Sequence, residues 1–425
     1  MASSLSVPQT VDHLFRHEYG RLVSVLTRIF GTENIQLAED VVQDTLVKAL
    51  EQWKIGGIPE NPQAWLFTVA RNKALDVIRR EKIHRKFASD ISPLLKSEYT
   101  LAPTVKELFS ENEIKDDVLR MMFACCHPAL PPESQVALIL KTLCGFSIEE
   151  IANGFITNDE TIHKRLYRAK QQFRTGDVQF EIPSGDQLLQ RIDNVLAALY
   201  LLFNEGFHSS SHEKVIRKDL ITEATRLCFL LTEHEQTNLG CVKALLALML
   251  FHSARLESRL DKDDHLLLLE KQDRSLWDRE LINAGTVFFE GAMEDDSMSW
   301  YHLQAAIVFQ HVSASSFEKT DWNIILELYD LLCRRYPSPV ALLNRAVAIS
   351  YAKDIHSAIE AIHSIPEIEK LNGYYLMPAT LGELHFRKND FVLAKKYFQD
   401  AIALTHSGAE KKLLEEKISK CDVAQ

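Results

Sequence analysis

Gln63-Ala64-Trp65-Leu66-Phe67-Thr68-Val69-Ala70-Arg71-Asn72-Lys73-Ala74-Leu75-Asp76-Val77-Ile78-Arg79-Arg80 is the first of two stretches whose order decides the fold. The second runs from Phe146-Ser147-Ile148-Glu149-Glu150-Ile151-Ala152 to Thr161-Ile162-His163-Lys164-Arg165-Leu166-Tyr167-Arg168-Ala169-Lys170. In the first, Pro62 sits near the start of a helix, where its fixed φ is already helical and its missing N–H is not needed. That helix carries Arg71, Lys73, Arg79 and Arg80 together with Trp65, Phe67 and Asn72. Basic groups interleaved with aromatics and an amide suit single-stranded DNA, where phosphates are neutralised and splayed bases stack or hydrogen-bond. Trp65, Leu66 and Val69 read more simply as core, which leaves Asn72, Lys73 and Asp76 as the exposed set.

The second stretch opens on Ser147-Ile148-Glu149-Glu150, the Ser-x-x-Glu form of a capping box, so a helix is predicted to start there. Thr157-Asn158-Asp159-Glu160 repeats the form and predicts a second helix. Short helices joined by a tight turn make a helix-turn-helix. Ala152 is small where the helices approach, and Ile151, Phe155 and Ile162 are expected to pack between them. Ile156 stands where a glycine is common, which predicts a looser turn. The second helix presents His163, Lys164, Arg165, Tyr167, Arg168 and Lys170; such a helix puts its N-terminal residues against base edges in the major groove and basic groups near phosphates. His163 reads equally as a solvated surface residue.

With 425 residues the chain has room for several domains, and its 46% hydrophobic and 25% charged residues are ordinary for a globular protein. No apolar run reaches the roughly 18 residues that cross a bilayer. No signal peptide is read at the N-terminus, so a cytoplasmic location without membrane contact is expected. The 7 cysteines form no CxxC pair, and Cys125-Cys126-His127 reads as a buried helix end stopped by Pro128. The net charge of −11 argues against a nonspecific nucleic-acid binder. It is unevenly spread, at −1 over residues 1–180 and −10 over 181–425. Positive charge is striped: Arg71 to Lys86 holds seven basic and two acidic residues, and Lys164 to Arg174 holds five basic and no acidic ones. Local stripes, not total charge, are the electrostatic footprint of nucleic-acid binding.

Apolar residues recur at helical spacing almost throughout, so the fold is expected to be all-α. The expected divisions are 11–87, a linker at 88–112, 113–176, a helical extension at 183–290 and a repeat segment at 291–425. Val11, Leu14, Phe15, Leu22, Val25, Leu26 and Ile29 mark a first amphipathic helix; a second puts Val41, Val42, Leu46, Ala49 and Leu50 on its apolar side and is broken at Gly56-Gly57-Ile58-Pro59. In the last third, Leu381-Gly382, Ala394, Phe398 and Ala401 fit a tetratricopeptide template, with weaker fits at Ala346 and Ala358. Asn204-Glu205-Gly206-Phe207 and Gln272-Asp273-Arg274 are polar islands that read as buried caps or interhelical salt bridges, with pocket lining the alternative. The recurrence of Asp-Arg at 273–274 and 278–279 has no explanation in the sequence.

Leu14-Phe15-Arg16-His17-Glu18-Tyr19-Gly20-Arg21-Leu22, Ala38-Glu39-Asp40-Val41-Val42-Gln43-Asp44-Thr45 and Ala64-Trp65-Leu66 to Arg80 resemble region 2 of the extracytoplasmic-function sigma factors of the sigma-70 family, and residues 133–174 are similar to their region 4. The extension, through stretches such as Leu199 to Phe207 and Glu270 to Asp278, resembles the subgroup with a long C-terminal domain ending in tetratricopeptide-like repeats. The resemblance implies a sigma factor that binds the clamp helices and flap of RNA polymerase core and directs initiation at promoter DNA. It implies core contact by Asp40, Gln43, Asp44 and Lys48, −10 contact and melting by Arg71, Asn72, Lys73, Asp76, Arg79 and Arg80, and −35 contact by His163, Lys164, Tyr167 and Arg168. The extension then regulates, with a protein or a ligand as its partner. The alternative is a helix-turn-helix regulator with a tetratricopeptide sensor acting without core. No enzyme is expected, and no catalytic residue, cofactor or metal, since no Gly-rich phosphate loop, HExxH or nucleophile elbow is present.

Overall fold

The computed structural model describes residues 18–27, 30, 34–81, 116–175, 183, 185–209, 216–262, 265–295 and 297–424. The readings of Val11, Leu14, Phe15 and Ile29 and of the linker 88–112 lie outside them. Among the described residues the fold is all-α, and the one β feature is an isolated bridge between Leu260 and Leu266.

Helix α1 (residues 18–27) buries Leu22, Val23 and Leu26 against α2 (Ile35–Gly56) and α3 (Pro62–Glu81). Along α2 the inward stripe is Val42, Leu46, Ala49 and Trp53. Leu50 was expected on that side but is 40% exposed. It stands about 80° around the helix from Val42, at about 100° per residue, so Trp53 takes the inward place. The helix stops at Gly57, whose φ of 81° is cheap only without a Cβ and whose N–H donates to Trp53 O at 3.0 Å. On α3, Leu66, Ala70 and Ala74 recur every fourth residue and are fully buried.

Helices α4 (Asp117–Cys125), α5 (Pro132–Thr142), α6 (Ile148–Gly154) and α7 (Asp159–Arg174) follow, then α8 (Asp186–Phe207). Cys125 and Cys126 close α4 as buried thiols, and burial pushes Cys125 up to about 12, the behaviour of a packed and unreactive group. The described chain divides into two compact units, one of residues up to 202 apart from 153–156, together with 234–237, and one of 153–156, 203–233 and 238 onward. The start of α8 belongs to the first: Arg191 donates to Phe123 O at 3.0 Å and Asn194 to Gln135 Oε1 at 2.8 Å.

In the second unit, α10 (Gly240–Ser253) is buried from Ala244 to Phe251 and is wrapped by α9 (Lys218–Glu233), α11 (Arg279–Ala292) and α12 (Trp300–Ser313). Among the described residues no helix is long and apolar enough to cross a membrane. The polar islands resolve here. Glu205 accepts from Ser209 at 3.0 Å and Arg217 at 3.3 Å, a buried ion pair. Asp273 and Asp278 are each the N-cap of a helical segment, accepting from Ser275 N–H and from Glu280 and Leu281 N–H. The two Asp-Arg pairs therefore recur because two helical starts follow one another.

Helices α13 (Trp322–Arg335), α14 (Pro339–Ala352), α15 (Ile355–His363), α16 (Leu376–Arg387), α17 (Phe391–Leu404) and α18 (Gly408–Ala424) complete the chain, each packed on its neighbours in sequence. Leu381, Ala394, Phe398 and Ala401 are buried between α16, α17 and α18. At Gly382 a Cβ would lie 2.6 Å from Phe398 Cδ1, so the ring rests on bare backbone. Gly382→Ala is expected to destabilise this unit by about 1–3 kcal/mol through overpacking. Adding Phe398→Leu should return part of the loss, as read from thermal melting of both variants beside the parent.

Candidate functional site

The helix-turn-helix is built by its caps. Ser147 N–H donates to Glu150 Oε2 at 2.7 Å and Ser147 Oγ accepts from Glu150 N–H at 3.0 Å, the reciprocal capping box expected. The second box does not form at Thr157. Asn158 caps instead, its Oδ1 accepting from Thr161 N–H at 2.9 Å, and α7 starts at Asp159. Asn158 wins because its short amide sits on extended backbone, φ −104° and ψ 160°, and reaches the third helical N–H. The turn is also tighter than Ile156 suggests. Thr157 N–H donates to Ala152 O at 2.9 Å, and Ile156 itself takes the left-handed φ of 51°. Ile151 and Ile162 are fully buried and Ala152 nearly so, while Phe155 is half-buried.

Helix α7 buries Ile162, Leu166, Ala169 and Phe173. The intervening positions His163, Lys164, Tyr167 and Arg168 form one exposed face, with Tyr167 70% exposed. Lys164 leans on Glu160 at 2.6 Å, one turn back. Two cations and two flat rings on one turn of an exposed helix offer phosphate pairing and base-edge hydrogen bonds together.

The other candidate face lies on α2 and α3. Asp40, Gln43 and Asp44 are exposed along α2, with Lys48 half-buried beside them. Val47, 53% exposed, and Leu50 lie on the same open side, an apolar component that the sequence did not single out. On α3, Asn72 and Asp76 are exposed and Arg71 and Lys73 half-buried. The side chains of Arg79 and Arg80 lie outside the described residues. Lys73 Nζ bonds Asp44 Oδ2 at 2.9 Å, joining a residue expected at DNA to one expected at polymerase. Trp65 is half-buried and meets Trp53 edge to face at 5.2 Å, which favours core over stacking platform.

One residue missed from the sequence ties the two halves of this unit together. Glu39, on α2 beside Asp40, is 4% exposed. Its Oε2 accepts from Lys170 Nζ on α7 at 2.5 Å and its Oε1 from Thr142 Oγ1 on α5 at 3.0 Å. Lys170 also donates to Gln36 Oε1 at 3.0 Å. Lys170 was read as part of the DNA-facing set, and in this arrangement it is instead engaged in packing.

Residues 14–83 match the family described as Sigma-70 region 2, residues 120–173 that described as Sigma-70, region 4, and residues 191–293 a family of unknown function, DUF6596. An uncharacterized protein of Rhizobium meliloti strain 1021 is 34% identical over 391 residues, covering 91% of this chain and 90% of that protein. The ECF RNA polymerase sigma factor SigL of Mycobacterium tuberculosis is 28% identical over 164 residues, 38% of this chain and 87% of SigL. The RNA polymerase sigma factor YlaC of Bacillus subtilis is 25% identical over 167 residues, 39% of this chain and 90% of YlaC. No solved structure matches.

Replacing Lys170 by Ala would leave the buried Glu39 carboxylate without its hydrogen-bonded cation, with Lys141 acting on it only at longer range. The expected cost is about 2 kcal/mol, and Glu39→Gln with Lys170→Met, which removes both charges, should recover most of it. Urea unfolding of the three proteins checks this; equal stability of parent and Lys170→Ala would show that the contact contributes nothing.

Proposed function

We propose, for a chain that belongs to the extracytoplasmic-function branch of the sigma-70 family and carries a long C-terminal extension, that it binds RNA polymerase core and directs promoter-specific transcription initiation. The observation that carries the reading is the presence, in one chain, of a region 2 match over α2 and α3 and of a helix-turn-helix whose α7 face is open to solvent.

Asp40, Gln43, Asp44 and Lys48 meet the clamp helices of core, where complementary charge sets register and on-rate and the exposed Val47 and Leu50 add apolar area. Arg71, Asn72, Lys73, Asp76, Arg79 and Arg80 engage the −10 element, where holding an extruded base offsets an unstacking cost of a few kcal/mol. His163, Lys164, Tyr167 and Arg168 engage the −35 element while this segment docks on the flap. These elements stand roughly 25 base pairs apart, on the order of 80 Å at about 3.4 Å per base pair. The Glu39–Lys170 contact holds the two faces within one compact unit, so engaging both elements requires it to open. The extension is regulatory, with a protein or ligand partner, and the protein is cytoplasmic. The boundaries 11–87, 88–112, 113–176, 183–290 and 291–425, with tetratricopeptide-like packing in the last, belong to the same proposal.

Run-off transcription with purified core and the full chain tests the reading: a nanomolar complex and discrete transcripts are expected. A chain that shifts duplex DNA alone and has no affinity for core would replace the sigma reading with that of a free-standing regulator. Asn72→Ala or Lys73→Ala should keep core binding and lose open complexes, scored by permanganate reactivity of unpaired thymines. Arg168→Ala should weaken promoter binding by roughly 1–3 kcal/mol and relax the −35 preference.

A further inference from the structure

The C-terminal unit carries a partly open cavity of about 460 Å³, a volume suited to a small ligand. One wall is aromatic. Trp322 and Tyr351 stack with ring centroids 4.2 Å apart and planes 17° apart, and Phe317 stands edge-on to both at 5.5 and 5.4 Å. Leu266 to Leu269 and Leu384 add apolar surface. The cavity wall thus offers an apolar body an aromatic surface.

Its charged groups are unequally satisfied. Of the lining carboxylates, Glu383 is paired with Lys417, and Glu410 is held by His208 at 2.5 Å, Tyr375 at 2.6 Å and Thr405. Glu270 is exposed to solvent. The lining arginines have no such partners. Arg387 lies 4.2 Å over the Tyr351 ring and donates to Ser350 Oγ at 2.9 Å and Ser350 O at 3.1 Å. Arg259, 7% exposed, lies 3.8 Å over the Phe207 ring and donates to Phe207 O. Among the described residues neither has a carboxylate at ion-pair distance.

Behind Arg259 stand two further arginines. Arg255 donates to Gln272 Oε1 at 3.2 Å, and Arg274 to the carbonyls of His311 and Ala314, both at 2.6 Å. Burial, with Arg259 and Arg274 nearby, lowers Arg255 to about 9. Burial, with Arg255 and Arg274 nearby, lowers His311 to about 4, so its imidazole is neutral at neutral pH. His311 lines the cavity, and its Nδ1 is buried with no hydrogen-bond partner among the described residues. Arg255 and Arg259, matched only to neutral carbonyl and amide oxygens, leave a positive potential inside the site, where it acts strongly on an anion, whereas Arg274 also has the Glu318 carboxylate within electrostatic range.

We propose that this cavity binds a small amphipathic anion, with its apolar body against the aromatic cluster of Phe317, Trp322 and Tyr351 and its carboxylate, sulfonate or phosphate group toward Arg259 and Arg387. The assignment rests on the reading of the extension as the regulatory part of the chain and supplies the class of its ligand. Charge complementarity to Arg259 and Arg387 selects this occupant over a neutral or cationic one.

The test uses the full-length protein without polymerase, so that it can fail independently of the sigma-factor reading. Two fluorescent probes that differ only in the anion, anilinonaphthalene sulfonate and N-phenylnaphthylamine, are titrated against it. Saturable binding at one site is expected, with the sulfonate bound roughly 10-fold more tightly than the neutral amine, as a charge-assisted hydrogen bond provides. Arg387→Met and Arg259→Met should abolish that preference, with folding checked by circular dichroism. Ala379→Phe fills the cavity, keeps both arginines and should remove binding of both probes; it decides the matter even where an arginine variant fails to fold. Equal affinity for the two probes, the absence of saturable binding, or sulfonate binding untouched by Ala379→Phe would overturn the proposal.

Discussion

A carboxylate that cannot reach water organises the N-terminal unit. Glu39 sits on the buried edge of α2, and an ionised carboxylate there is costly unless a cation and further donors reach it. Lys170 and Thr142 supply them from α7 and α5. The contact fixes how α2 is turned, and the opposite edge carrying Asp40, Gln43 and Asp44 is left exposed. It also fixes α7 through the position three residues beyond Tyr167. Nearby, a Cβ on Gly20 would overlap the Leu143 carbonyl oxygen, so α1 approaches the end of α5 closely enough to require glycine. The faces proposed for polymerase and DNA are exposed because other edges of the same helices are occupied.

Local chemistry at helix ends sets the rest of that geometry. The Ser147–Glu150 box starts α6, and the Asn158 cap starts α7 one residue later than a second box would. Ile156 accommodates the turn in a left-handed conformation that ordinarily costs an L-residue about 1–2 kcal/mol. Its side chain is 42% exposed, so burial of that side chain offsets only part of this strain. The strain is held by burial of Ile151 and Ile162 on either side of the turn and by the Thr157–Ala152 hydrogen bond. A one-residue shift of the cap would rotate α7 by about 100° relative to its N-terminal anchor, enough to move Tyr167 from solvent toward the core.

Features that depend on neighbours in sequence were legible there. Helical periodicity placed Leu22, Val42, Leu46 and Ala49 in the core, and the capping box at Ser147 formed as written. His163, Lys164, Tyr167 and Arg168 read as one face because four residues at i, i+1, i+4 and i+5 share a side of any helix. What escaped were contacts between residues distant in sequence: Glu39 with Lys170, 131 residues away, and Asp44 with Lys73, 29 residues away. Periodicity reports which side of a helix is buried and not which charge will be found opposite. Leu50 escaped for another reason: it lies at the edge of the stripe, where Trp53, with more surface to bury, took the inward place. The Asp-Arg recurrence at 273 and 278 became intelligible only as two N-caps.

Buried charge is handled in two ways, by pairing, as at Glu39 and again at Glu205 with Arg217, and by neutral oxygens alone, and the contrast bears on what each can do. In the first, Glu39 meets a lysine and a hydroxyl, so the pair is close to neutral and its natural role is to hold helices together. In the second, Arg255 and Arg259 are matched to amide and carbonyl oxygens, which satisfy hydrogen bonds and leave the charge. Dipoles orient a guanidinium without neutralising it, whereas a carboxylate would do both. A core that needed only rigidity would be served as well by apolar side chains of similar volume. Arg255 and Arg259, with no carboxylate partner, stand beside an aromatic-walled cavity as an arrangement that the proposed anion would complement, and a difference between filled and empty states is what a regulatory element requires.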